Sequence, residues 1–286
     1  MTKLAVHFHS KFSQEMRDVI VAMRPHVLKF MDPWLPDPSY CESLWNDAGR
    51  PLMIWRHYWT PDQQEAALCD PAVGARAMAE NVTADLAAHR NIPWLVEGLN
   101  EPCGDADGRY EQLDILQAAY YDALQGSGLE PIAWNVGTGN MDASSVASFG
   151  RTIARYRYYG LHAYDWPKLD NPGWIEWMAL RYRKVLTALP ATARLILTEC
   201  GLTQATHGGP DEGWRSGVNA DEYARSLNWF DSELQKDAQV IGACIYLVGV
   251  EDGNRWKSFD VFPEVLPLLH PTKPSPVAKP PSIPSS

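Results

Sequence analysis

The chain has 286 residues, with 35 acidic against 25 basic side chains and a formal charge of −10. That length suits one large α/β domain, and the acidic balance disfavours nucleic acid or an anionic membrane surface as a partner, leaving a neutral partner as the expectation. Twelve Trp and twelve Tyr supply flat faces of the kind a sugar ring stacks on, while five Cys with no C-x-x-C and no regular spacing argue against a disulfide framework.

Short apolar runs alternate along the chain with longer stretches of helical period. The first run, 4–8, has no stretch before it long enough for a signal peptide, and no later run approaches transmembrane length. A soluble protein without a classical export signal is the expectation, with its compartment open. The following strand candidates are 27–31, 52–58, 94–99, 131–136, 159–163, 195–198 and 241–248. Between them, 73–89, 110–125, 175–189 and 220–235 repeat apolar residues at spacings of three and four, as amphipathic helices do. Asp221 and Glu222 at the start of one and Lys184 late in another suit the helix dipole.

Strands alternating with helices require crossover connections and a parallel sheet. Eight such units match a single-domain (β/α)8 TIM barrel over residues 1–270. An open doubly wound sheet is the alternative, but no glycine-rich phosphate loop follows the first strand. From residue 271 the composition turns to Pro, Ser, Lys and Ala. Residues 271–286 therefore read as a disordered linker or tail, which hints at a further module beyond it.

In a parallel barrel the carboxyl ends of the strands surround one site. Those ends carry His7 and His9, Lys29, Arg56 and His57, Asn100 and Glu101, His162 and Tyr164, Glu199, and Tyr246, with Trp256 in the loop beyond. Unpaired polar groups in a core cost on the order of 1–3 kcal/mol or more, so a site is the economical account of so many. Glu101 ends the fourth candidate strand and Glu199 the seventh, on facing walls of an eight-strand mouth. Two carboxyl groups so placed are what glycoside hydrolysis needs: one protonates the leaving oxygen, the other attacks or activates water. His7 and His9 are the competing metal-site candidate, but an H-x-H pair with no Asp or Cys nearby is a weak ligand set, and no metal is assigned. Cys103 and Cys200, close to the two glutamates, read as small structural thiols.

The segments Glu97-Gly98-Leu99-Asn100-Glu101-Pro102, His162-Ala163-Tyr164 and Thr198-Glu199-Cys200-Gly201 resemble, in order, the E-x-x-N-E-P, H-x-Y and nucleophile motifs of clan A glycoside hydrolases, family five in particular. The resemblance implies a retaining β-glycosidase acting on a neutral β-linked oligo- or polysaccharide, with no cofactor. Glu101 would be the acid/base and Glu199 the nucleophile. Arg56 and Tyr164 would hold the nucleophile, Asn100 would bond the sugar 2-hydroxyl, and His162 and His57 would contact substrate or orient Glu101. Tyr246 stands where the family carries a strand-eight Trp, with Trp256 as a substitute platform. The family's strand-two Arg is absent, leaving Lys29 or Arg56 for its role. Trp34, Trp59, Trp166 and Trp214, each after a candidate strand, are expected glycan subsites. The alternative function is a non-catalytic glycan-binding or cell-wall-targeting barrel.

Overall fold

The computed structural model describes residues 2–269. The strands are β1 (Leu4–Phe8), β2 (Val27–Met31), β3 (Leu52–Arg56), β4 (Trp94–Glu97), β5 (Glu130–Val136), β6 (Tyr158–Asp165), β7 (Arg194–Leu202) and β8 (Val240–Val248). Each pairs in parallel with the next, and β8 returns to β1, closing the barrel. The helices are α1 (Gln14–Met23), α2 (Pro38–Asp47), α3 (Pro61–Cys69), α4 (Pro71–Asp85), α5 (Tyr110–Ala123), α6 (Ala143–Val146), α7 (Gly150–Ile153), α8 (Tyr182–Leu186) and α9 (Ala220–Leu234). This is the expected (β/α)8 barrel. The Pro-rich stretch 271–286 lies outside the described residues. No helix among those described is long and apolar enough to cross a membrane.

Local chemistry explains where the helices begin. Asp37-Pro38, Thr60-Pro61 and Asp70-Pro71 each place an oxygen-bearing N-cap before a proline at the first helical position, where its missing N–H costs nothing. Thr60 with Gln63 and Asn219 with Glu222 complete reciprocal capping boxes. Tyr223, Leu227, Phe230 and Leu234 then form a buried stripe down α9 at spacings of three and four. Each full burial contributes roughly 1.5–3 kcal/mol.

The expected helix 175–189 is mostly not one. Only Tyr182–Leu186 is α-helical, and the preceding stretch winds through irregular turns, with Trp177 N–H donating to the Trp174 carbonyl and Leu180 N–H to that of Ile175. Part of its apolar period is carried by Trp177, which faces solvent rather than the barrel, so the periodicity did not report burial.

Inside the barrel, one residue from every strand meets in a single apolar layer: Ala5, Val27, Ile54, Leu95, Ile132, Tyr158, Ile196 and Cys244. A strand repeats its facing every second residue, so the next inward positions are His7, Lys29, Arg56, Glu97, Thr198 and Tyr246, all buried. Register shifts between His7 and Phe8, Trp134 and Val136, Leu161 and His162, and Leu197 and Cys200 re-aim side chains toward the carboxyl end. The barrel is thus apolar below and polar above, and the polar storey opens into a cleft.

Candidate active site

The cleft at the carboxyl ends of the strands has a volume of about 700 Å3, and Arg56, Asn100, Glu101, Tyr164, Glu199, Tyr246 and Trp256 all line it. Glu199 is nearly buried and gathers the positive groups. Its Oε1 accepts from Arg56 Nη1 at 2.5 Å and from Lys29 Nζ at 3.3 Å, and its Oε2 accepts from the Tyr164 hydroxyl at 3.0 Å. His162 Nδ1 stands 3.6 Å from Oε2 and His7 Nδ1 3.8 Å from Oε1. Burial alone would lift the pKa of this carboxyl, but His162, Lys29, Arg56 and His7 outweigh it and hold Glu199 well below the usual carboxylate range. It is an anion at any ordinary working pH.

Beneath it sits a fully buried cation. Lys29 Nζ lies 3.0 Å from Glu97 Oε1 and donates to the Thr198 carbonyl at 3.1 Å as well as to Glu199. Both Lys29 and Glu97 are at 0% exposure. A charge with no access to water persists only when paired, and here two carboxylates, Glu97 and Glu199, face two cations, Lys29 and Arg56. Lys29 from β2 and Arg56 from β3 thus both contact Glu199. The pairing of Arg56 is with Glu199, and that of Glu97 with Lys29.

Glu101 is different in kind: its side chain is half exposed, and its backbone sits at φ +47°, a left-handed conformation uncommon for a residue other than glycine. Its N–H donates to the carbonyl of Asn135, itself at φ +54° in the β5 bulge. Strained backbone of this kind persists where surrounding structure over-determines it, and it clusters at functional sites. Gly137 leaves room for this carboxyl, since a Cβ there would stand 2.9 Å from Glu101 Oε1. His162 Nδ1 bonds Glu101 Oε1 at 2.7 Å. Burial disfavours the charged imidazole, yet Glu199 and the bond to Glu101 outweigh it and raise the pKa of His162 above the ordinary value. Because one atom, His162 Nδ1, is 2.7 Å from Glu101 and 3.6 Å from Glu199, those two carboxylate oxygens are at most 2.7 plus 3.6, or about 6.3 Å, apart.

Asn100 accepts from Arg56 Nη1 at 2.8 Å through its Oδ1, so its amide nitrogen is oriented as the remaining donor at the cleft wall. Tyr246 forms part of the floor, edge-on to His7, Tyr164 and Trp256 with ring centroids 5.3, 6.2 and 5.9 Å away. Trp256 lines the cleft above it, with the Arg255 guanidinium 4.1 Å from its ring centroid.

Several expectations are corrected. His57 does not reach the cleft: its Nδ1 bonds Asp85 Oδ2 at 2.8 Å and its ring packs on Trp59, and the Asp85 bond raises its pKa. The aromatic residues Trp34, Trp59, Trp166 and Trp214 are not in the cleft wall either. Trp34 stacks on His9 at 3.7 Å, Trp59 packs against His57, Trp166 lies against Gly217, and Trp214 donates its Nε1 proton to the Asp260 carbonyl. They pack among the loops around the mouth. His7 and His9 part company at the β1 bulge, one toward Glu199 and the other onto Trp34. Cys103 lines the cleft, but burial pushes its thiol up to about 12, and all five cysteines are free, with Cys69 exposed.

The structure adds Tyr58, Asp107, Thr138, Thr206 and Asp211 to the cleft wall. Only Tyr58 had a signal in the sequence, its place just past β3. The others sit on loops whose path no local pattern encodes.

No family model matches the sequence, and no curated protein matches it. Solved structures do share its fold. A GH5-4 broad-specificity endoglucanase from Clostridium acetobutylicum is 11% identical, with a TM-score of 0.56 over 94% of this chain and 96% of that one. A GH128 subgroup II endo-β-1,3-glucanase from Sorangium cellulosum is 13% identical, with a TM-score of 0.57 over 95% and 100%. A GH26 β-mannanase from Bacteroides ovatus is 12% identical, with a TM-score of 0.54 over 93% and 86%. At such identities the likeness is one of fold. The chain is a closed (β/α)8 barrel similar in architecture to glycoside hydrolases of families 5, 26 and 128, family five being the one its motifs resemble.

Proposed function

We propose that this protein is a retaining β-glycosidase acting on a neutral β-linked polysaccharide. The observation that carries the reading is the approach of both carboxylates to one histidine: His162 Nδ1, hydrogen-bonded to Glu101 Oε1 and 3.6 Å from Glu199 Oε2, keeps those two oxygens within about 6.3 Å. Retaining enzymes place the two carboxyl groups ~5–5.5 Å apart and inverting enzymes ~6.5–9.5 Å, and two oxygens this close suit a pair that faces one anomeric carbon. The surroundings of the two carboxyl groups support the same division of labour. Glu199, held anionic by Arg56, Lys29 and Tyr164, attacks the anomeric carbon as the bond to the leaving oxygen breaks. Glu101, half exposed at the cleft wall, gives its proton to that oxygen, and a covalent glycosyl–Glu199 ester results. Glu101, now a carboxylate, takes a proton from water, whose oxygen attacks the anomeric carbon and releases Glu199. Two inversions give net retention.

Around this pair, Asn100 donates to the sugar 2-hydroxyl, an interaction that strengthens as positive charge develops in the transition state. His162 orients Glu101. Tyr246 and Trp256 take the place of a single strand-eight Trp beneath and beside the central sugar. An endoglucanase, an endo-β-1,3-glucanase and a β-mannanase share the fold, and a neutral glycan suits the acidic balance here.

The test is a panel of β-1,4-glucan, β-1,3-glucan, mannan and xylan offered to the wild type and to Glu199→Gln. Turnover in the wild type, its loss in Glu199→Gln, a β-anomer as first product by NMR, and azide rescue of Glu101→Ala on an activated aryl glycoside are the expected results. An α-anomer as first product, or turnover surviving in Glu199→Gln, overturns the assignment. Tight binding without turnover on every glycan selects a binding-only barrel instead.

A further inference from the structure

Among the described residues, only three aromatic side chains are both large and exposed: Tyr58 at 50%, Trp174 at 46% and Trp177 at 51%. All three follow the carboxyl ends of barrel strands, Tyr58 after β3 and the two Trp in the connection from β6 to α8. None is on the outer helical ring. Scattered exposed apolar residues need no explanation, but a set confined to the rim of one cleft does.

The two tryptophans adjoin the cleft. The Trp174 ring stands 5.2 Å from that of His207, steeply inclined to it, and His207 directly follows Thr206 of the cleft wall. His207 is in turn fixed by Asp165, whose Oδ1 is 2.9 Å from its Nε2. The carbonyl of Trp177 lies beside Gly139, between Thr138 and Asn140 of the same wall, 3.9 Å from where a Cβ would be. Lys184 Nζ sits 3.8 Å and the Arg181 guanidinium 5.0 Å from the Trp177 ring centroid, and Arg181 reaches toward Asp105 and Asp142 on the β4 and β5 loops. These cation–π contacts hold the ring in place before any ligand arrives, so little ordering entropy remains to be lost on binding.

Tyr58 lines the cleft from the β3 side, and β3 faces the β6–β7 side across an eight-strand mouth. Resting on the glycosidase reading above, we propose that a polysaccharide chain crosses the mouth from Tyr58 to Trp174 and Trp177, with Glu101 and Glu199 at an interior linkage, which makes the action endo. The chemistry of the path favours a neutral glycan. Aromatic faces at the two ends accept the C–H faces of sugar rings, while Asp107 and Asp211 between them accept hydroxyl protons and repel a polyanion. A protein partner would need a contiguous apolar patch, and here a polar cleft divides the aromatic residues.

Two measurements separate this proposal from the catalytic one. First, kcat/KM is compared for a glycan polymer from the panel and for a short aryl glycoside, in the wild type and in Trp174→Ala/Trp177→Ala, with urea midpoints checking that the fold is kept. The ratio of polymer to aryl-glycoside activity should fall about tenfold, the signature of lost remote binding energy, and early products should be mixed oligosaccharides. An unchanged ratio, or release of one short sugar from chain ends, overturns it. Second, binding of cello-, laminari- and manno-oligosaccharides from disaccharide to octasaccharide is measured calorimetrically in Glu199→Gln, which needs no turnover. Affinity should rise with chain length, and the Trp174→Ala/Trp177→Ala changes in that background should abolish the rise. If the wild type cleaves nothing on the panel, the catalytic reading fails while length-dependent binding still supports the platform. Affinity independent of length, or unaffected by the Trp changes, overturns the platform whatever the catalysis.

Discussion

Replacing Lys29 by Met removes a cation that three acceptors share at the centre of the barrel: Glu97 Oε1 at 3.0 Å, the Thr198 carbonyl at 3.1 Å and Glu199 Oε1 at 3.3 Å. Among the described residues, Glu97, fully buried, has no other cation in direct contact. Breaking a buried pair by removing one partner costs about 3–5 kcal/mol, whereas replacing both partners by apolar groups of similar volume is neutral or stabilising by roughly 1–4 kcal/mol. Lys29→Met should therefore lose several kcal/mol, and Lys29→Met/Glu97→Met should recover most of it. Urea unfolding at pH 7 reads both, with m unchanged and only the midpoint moving. Two results refute the argument: a single variant as stable as the wild type at pH 7, or a double variant no better than the single one. Catalysis gives an independent reading. Glu199 keeps Arg56 but loses Lys29 in the double variant, so its pKa rises and the acid limb of kcat/KM should move to higher pH.

Tyr164→Phe deletes the hydroxyl bond to Glu199 Oε2; hydrogen bonds to charged groups are worth about 1.5–3 kcal/mol, so kcat/KM should fall by roughly 10- to 100-fold with an unchanged fold, and a loss below threefold would contradict the contact. Gly137→Ala drives a Cβ to 2.9 Å from Glu101 Oε1 and should lower kcat more than it raises KM, since it displaces the proposed acid without touching Asn100; equal activity in steady-state assays would show that Glu101 yields freely. For His57, the bond to Asp85 raises the folded pKa, so its contribution to stability is complete below the unfolded value near 6.5 and is lost as pH rises through the folded one. The difference in Tm between the wild type and His57→Asn should accordingly shrink from pH 5.5 to pH 9, and a difference constant over that span contradicts the pairing.

The barrel was legible because its signals are local. Each strand is a short apolar run, and Asp-Pro or Thr-Pro steps mark helix starts at Pro38, Pro61 and Pro71 through chemistry confined to a few residues. Glu101 and Glu199 were legible for a topological reason: strand number alone places β4 and β7 on facing walls of a closed parallel sheet. What failed is whatever depends on where a loop goes after it leaves the strand. Trp34, Trp59, Trp166 and Trp214 follow strands and looked like sugar platforms, yet their rings turn to His9, His57, Gly217 and Asp260. The tryptophans that do reach the rim, Trp174 and Trp177, lie in a stretch whose period imitates a helix. His57 failed for a smaller reason: it is one residue past Arg56, and the alternation that turns Arg56 into the barrel turns His57 out to Asp85 at the end of α4.

That alternation also accounts for the composition of the site. Once Ala5, Val27, Ile54, Leu95 and Cys244 close the lower barrel, the residues two further along are committed to the interior whatever their polarity. His7, Lys29, Arg56, Glu97 and Tyr246 occupy those positions. Charges forced inward must be balanced, and here Lys29 neutralises Glu97 while Arg56 neutralises Glu199. The low pKa of Glu199 is then a consequence of packing a charge-balanced polar storey above an apolar one, with Glu101 left outside the balance on the strained β4 end, near His162 but open to solvent. Two carboxylates in contact with one histidine thereby acquire different surroundings, which is the asymmetry an acid and a nucleophile require.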